Sequence, residues 1–197
     1  MPCSSGALLG SRLTTAHAGV RLVPVRAAEH VASCEELWSE YGHWATAESL
    51  RLTGRQVQPD HQGFRDELPD LMSGRGRLYL AELNGVPVGT GGLKITTPDF
   101  AEIKRMFVLP AARGLGISRV LVSRLIEDAA SCGYERVRLD TMAFMATAQA
   151  LYRSLGFVAV DPYDQSESVR AGITNDAVYL ELMISPGAAP GAEQEMT

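Results

Sequence analysis

Six consecutive residues, Arg113-Gly114-Leu115-Gly116-Ile117-Ser118, carry the strongest chemical signal in the chain, between an apolar strand-like run and a long apolar helical run. Glycine is costly inside regular structure, so two of them beside an arginine have a backbone task. One reading is a tight strand-to-helix connection. The other is a cradle for an anion such as a pyrophosphate. Gly114 and Gly116 let the main chain turn sharply and approach a ligand, and the amides of about 114 to 118 are the unpaired first-turn donors of the next helix. The helix dipole favours negative charge there, and Arg113 adds a cation at the mouth. Two other nucleotide loops fail on spacing. A Walker A loop needs Lys-Ser/Thr after its last glycine, where Ile117-Ser118 stand. A Rossmann fingerprint needs three spaced glycines early in a parallel fold, and this stretch has two, late.

Other reactive side chains form no constellation. His17, His30, His43 and His61 make no triad with a serine and show no metal-ligand spacing. Ser118 and Ser123 lie outside any G-x-S-x-G elbow. Cys3, Cys34 and Cys132 are scattered and odd in number, which argues against a disulfide framework or a zinc site.

The elements that must position the glycine stretch are read from periodicity. Residues 20–26 form a first strand. Cys34, Leu37, Trp38 and Tyr41 fall at i, i+3, i+4, i+7, an amphipathic helix. Residues 42–62 are ambiguous, and 64–72 make a weaker helix. Strands 76–83 and 86–96 are joined at Asn84-Gly85, a strong hairpin signal. A strand at 101–109 is stopped by Pro110. A helix spans about 116–132, with Gly133 past its end. A strand at 135–141 precedes a helix marked by Ala148, Leu151, Tyr152 and Leu155, which Gly156 ends, placing Phe157 for the apolar contact that follows a glycine cap. Strands at 157–160 and 177–184 close the fold. The order β-α-α-β-β-β-α-β-α-β-β implies an α/β fold with a mixed sheet of about seven strands and helices on both faces. Its unit from 101 to 141 should be a right-handed parallel crossover.

The run "EIKRMFVLPAARGLGISRVLVSRLI", then "GYERVRLDT" and "AQALYRSLGF", resembles the GNAT superfamily of acyl-CoA-dependent N-acetyltransferases. The family's pyrophosphate motif, Gln/Arg-x-x-Gly-x-Gly/Ala after its fourth strand, reads Arg113, Gly114, Leu115, Gly116, Ile117, Ser118, with serine at the last position. Its later motif, A-x-x-L-Y-x-x-x-G-F, is complete at Ala148, Leu151, Tyr152, Gly156 and Phe157, while Met145 stands where an Asn is frequent. Residues 100–160 carry the resemblance, and the element order extends it to about 20–184. It is nearest to small bacterial-type members of undefined substrate.

The resemblance implies an enzyme that moves the acetyl group of acetyl-CoA to a primary amine by direct transfer in a ternary complex. The alternative is a non-catalytic acyl-CoA sensor on the same fold. It places the pyrophosphate on the 113–118 amides. The pantetheine arm lies along the backbone of Met106, Phe107 and Val108, at a splay between strands 4 and 5 often accompanied by a bulge. An amide at Phe107 or a neighbour would polarise the thioester carbonyl. Tyr152 matches the tyrosine that faces the CoA sulfur and would be the general acid. Glu102 stands four residues before Met106, where one branch of the family carries its base. Period 2 would put Glu102, Lys104 and Met106 on one face, and a water relay is the other candidate base. Asp140 and Thr141 either line the acceptor pocket or cap a turn. His43, Trp44 and Glu48 fall where the family's variable first helices build the acceptor wall. The family contains many dimers, which leaves a homodimer open.

Bulk composition sets the frame. The chain of 197 residues is 46% hydrophobic and 21% charged, long enough for one domain with a real core. Residues 1–19 and 185–197 lack periodicity and read as disordered ends around a single domain at 20–184. A net charge of -5 argues against nucleic-acid or anionic-membrane partners. No apolar run reaches membrane-span length, and "ALLG" near the start lacks the basic flank of a signal peptide, so a soluble cytoplasmic protein is expected.

Overall fold

The computed structural model describes residues 19–57 and 61–184. The ends read as disordered lie outside these residues, Gly19 excepted. β1 (Val20–Pro24) leads into α1 (Ala28–Thr53), which absorbs most of the ambiguous 42–62 stretch. Its buried positions explain why the helix was hidden. Cys34, Leu37 and Trp38 are followed by Gly42, Ala45 and Ser49, so the inward stripe continues on residues too small or polar to read as apolar. Gly54 ends it with a left-handed turn, donating its amide to the Leu50 carbonyl at 3.0 Å. α2 (His61–Leu71) follows, then β2 (Arg77–Leu83) and β3 (Val86–Ile95). Asn84 and Gly85 between these strands both have positive φ, 53° and 83°, as a two-residue hairpin demands.

β4 (Ala101–Val108), α3 (Ile117–Ser131), β5 (Arg136–Met142) and α4 (Ala146–Ser154) complete the central unit. β6 (Val158–Ala159) and β7 (Ala177–Met183) close the sheet. A short helix, α5 (Glu167–Arg170), lies between them and was not expected; one turn is too short to show a period. The seven strands run in the order β1-β2-β3-β4-β5-β7-β6. Every neighbouring pair is antiparallel except β4 and β5.

Two apolar clusters cover the sheet. On one face Cys34, Leu37 and Trp38 of α1 meet Phe64 and Leu71 of α2, Leu78 and Leu80 of β2, and Phe107 of β4. On the other, Leu121 and Leu125 of α3 and Tyr152 of α4 pack with Tyr79, Leu93, Ile103 and Leu139. Burying each such large side chain contributes on the order of 1.5–3 kcal/mol, so both helical layers are pinned to the sheet.

Candidate active site

The parallel pair β4–β5 is held at only two positions, Ala101 with Val137 and Glu102 with Arg138. Beyond Glu102 the strands part, and the remainder of β4 has an open edge. A bulge accompanies the parting. Thr90 pairs with Phe107 and Gly92 with Lys104, so Arg105 and Met106 together oppose Gly91. Arg105 takes φ 57°, a left-handed conformation that costs a non-glycine residue about 1–2 kcal/mol. Packing holds it there. Its guanidinium bonds Oε2 of Glu67 through Nε at 2.7 Å and a terminal nitrogen at 2.6 Å, and lies 4.9 Å from the Trp38 ring centre.

The bulge resets the strand's alternation. Lys104 and Arg105, adjacent in sequence, both reach Glu67 on α2. Met106 turns to the α3 face, where it fills the space that a side chain at Gly91 would occupy. The expected sharing of one face by Glu102, Lys104 and Met106 therefore fails at Met106. The Leu109 amide bonds Val88 of β3 at 2.9 Å. By alternation the Phe107 amide also faces β3, and that of Val108 faces the open edge.

The glycine stretch lies at the end of this edge. Gly114 and Gly116 have φ 80° and 72°, and Gly116 is the residue before the first turn of α3. The first helical bond runs from the Val120 amide to the Gly116 carbonyl at 3.1 Å. The amides of Gly114 to Ser118 thus have no acceptor among the described residues, which is the geometry of an anion site. Gly114, Gly116, Ile117 and Ser118 line a cleft of about 530 Å³, with Met106, Phe107 and Val108 along another wall. Leu115 is 38% exposed and turns away from it. Arg113 ties the mouth together: its Nε donates to the Val108 carbonyl at 3.1 Å, and its guanidinium lies 4.1 Å from the Trp44 ring centre.

A second cleft of about 570 Å³ opens on the other side of the parting strands. Tyr41, Met106, Phe144, Met145 and Tyr152 border both. Neither Tyr41 nor Tyr152 hydroxyl has a hydrogen-bond partner among the described residues. Burial pushes the Tyr41 phenol up to about 12 and the Tyr152 phenol higher still, with the neighbouring phenol and Asp140 adding to the shift at Tyr152. Tyr152 is fixed from behind. α4 ends in a Schellman turn in which Gly156, at φ 95°, donates to the Arg153 carbonyl and Phe157 to that of Tyr152. The Phe157 ring packs edge-on against Tyr152, with centroids 5.7 Å apart.

Glu102 is not brought to this junction. It is 1% exposed, borders neither cleft, and accepts bonds from Tyr163 at 2.9 Å and Thr96 at 3.2 Å. Burial raises its carboxyl above the usual range. Asp140 and Thr141 do line the second cleft. His43 is exposed and borders neither, whereas Trp44 and Glu48 line the first cleft and not the second. The α1 wall of the second cleft is Trp38, Tyr41, Ala45, Ser49 and Thr53, and the unexpected α5 supplies Glu167 and Ser168. The i, i+3, i+4 repeat marks Trp38 and Tyr41 as inward-facing, yet cannot tell a cleft wall from core.

Comparison with known proteins gives the family. The model of the acetyltransferase (GNAT) family matches residues 31–157. The L-methionine sulfoximine/L-methionine sulfone acetyltransferase of Salmonella typhimurium is 33% identical over 170 residues, covering 82% of this chain and 95% of that protein. An uncharacterized N-acetyltransferase of Escherichia coli, YjgM, is 39% identical over 100 residues, 49% of this chain. The match to YjgM spans 60% of that relative's length, under two thirds. A GNAT acetyltransferase of Elizabethkingia anophelis, solved with acetyl-CoA bound, superposes with a TM-score of 0.57 at 18% identity, covering 85% of this chain and 99% of that one. The chain belongs to the acetyltransferase (GNAT) family.

Proposed function

We propose that the protein acetylates a primary amine with acetyl-CoA, by direct transfer where the two clefts meet. The observation that carries this reading is the junction itself: an open strand edge and a tyrosine with no hydrogen-bond partner among the described residues stand between the glycine turn and a second, separate cleft. The amides of Gly114 to Ser118 hold the pyrophosphate. The free edge of β4 takes the pantetheine arm as a further strand, with Val108 rather than Phe107 offering its amide. Tyr152, kept protonated through neutral pH by burial, meets the leaving thiolate as an O–H donor. Glu102 is too enclosed to receive the amine's proton, which leaves a water relay through the second cleft. The sensor reading needs the cradle alone and gives that cleft no task.

Calorimetric titration with acetyl-CoA tests the cradle. Wild-type protein should bind in the micromolar range. Gly116→Glu, which puts a carboxylate at the phosphate position, should abolish binding, whereas Gly116→Ala carries the same backbone cost without the charge and should retain most of it. Equal affinity in wild type and Gly116→Glu would remove the cradle. Thiol release on adding amines then separates enzyme from sensor.

A further inference from the structure

We propose that Asp140 anchors the acceptor's ammonium, and that the acceptor is a primary amine carried on an apolar body with no acid group of its own. This rests on the transferase reading and concerns its second cleft. The charges there are matched with one exception. Lys104 pairs with Glu167 at 2.9 Å, Arg105 with Glu67 at 2.6 Å, and Arg55 with Asp176 at 2.9 Å. Asp140 has no ion pair among the described residues. It accepts the Ser168 amide at 3.2 Å and the Ser168 hydroxyl, both on Oδ2. Among the described residues Oδ1 has no such bond, and the residue is half-buried on the cleft wall.

The carboxylate is in the right place for the chemistry. It sits on β5 beyond the two paired positions, where the strand has left β4. Its charge reaches both Tyr41 and Tyr152, the phenols at the junction. The Lys104 ammonium feels the Asp140 charge too, but is bonded to Glu167 at 2.9 Å. A half-buried carboxylate with no cation in ion-pair contact favours a ligand that brings one, and a charge-assisted hydrogen bond of this kind is among the stronger polar contacts. The rest of the wall is mainly apolar: Trp38, Tyr41, Ile103, Met106, Phe144 and Ile173. An acid group on the acceptor would find every cation of the cleft already engaged.

The test is calorimetric titration of the full chain, saturated with CoA, using 2-phenylethylamine, its uncharged isostere 2-phenylethanol, and phenylalanine. The wild type should prefer the amine to the alcohol by about tenfold or more, and phenylalanine should bind more weakly than the amine. Asp140→Asn keeps an oxygen for Ser168 and removes the charge, so it should lose the preference while still binding acetyl-CoA. An amine no better than the alcohol in the wild type, a preference that survives in Asp140→Asn, or phenylalanine binding as well as the amine would each overturn the proposal. If the variant fails to fold, the wild-type comparison still decides. Absence of acetyl-CoA binding counts against the transferase reading; a missing ammonium preference with acetyl-CoA bound counts against Asp140 alone.

Discussion

Tyr152 and Glu102 show how differently two polar residues of one fold can be placed. The phenol borders both clefts with its hydroxyl uncommitted, and the carboxylate is enclosed by Tyr163 and Thr96. Tyr152→Phe should therefore lower kcat by about a hundredfold, within the range for one general acid, and change KM little; steady-state kinetics separates the two. Glu102→Gln keeps one acceptor oxygen and turns the other into a donor, which the facing hydroxyl can accept by rotating, and it should leave the acid limb of the pH–rate profile where it is. A displaced limb would return Glu102 to the mechanism. At this scale the sharp turn was legible, because paired glycines beside an arginine mark a place where the backbone must bend; the pyrophosphate reading of it came from the resemblance. The case for Glu102 rests on its standing four residues before Met106, where one branch of the family carries its base, with period 2 as support; the bulge at Arg105 breaks that alternation, and an arginine in a left-handed conformation leaves no trace in a hydropathy pattern. That strain is visible only once Glu67 and Trp38 are seen to hold it.

Among the elements, α4 depends most visibly on a single residue. Gly156 turns the chain so that Phe157 folds back on Tyr152. An alanine there would be strained at φ 95° and would stand 3.3 Å from Leu182. Gly156→Ala should cost about 1–2 kcal/mol, read as a lower denaturant midpoint at unchanged slope, and should reduce kcat by loosening the tyrosine. Unchanged stability would show that the turn relaxes without it. This cap was readable from its glycine and the aromatic after it. The C-terminal half of α1 was not, since Gly42, Ala45 and Ser49 carry its buried stripe. The same small side chains leave room beside them: Ala45 and Ser49 form part of the second cleft's wall.

For the molecule as a whole, the second cleft draws on α1, the residues after it, β4, β5, the turn before α4, α4 itself, α5 and the turn before β7. No local pattern could have announced it; the sheet order alone brings those segments together. Its charges link stability to pH. Burial alone would raise the Glu167 carboxyl, but Lys104 and Arg105 outweigh burial and hold it below the ordinary glutamate value of 4.5. A depressed carboxyl stabilises the folded state above its unfolded pKa and loses that contribution as pH falls through its folded one. Thermal unfolding temperatures should fall below about pH 4.5, and Glu167→Gln should flatten that fall. An unaltered profile would assign acid sensitivity to other carboxylates. Among the described residues no helix is long and apolar enough to cross a membrane. The two-residue seam between β4 and β5 has a mechanical meaning as well. The sheet is two antiparallel wings stitched at one end and gaping at the other. A ligand seated in that gap would bridge the two wings as well as bind to them.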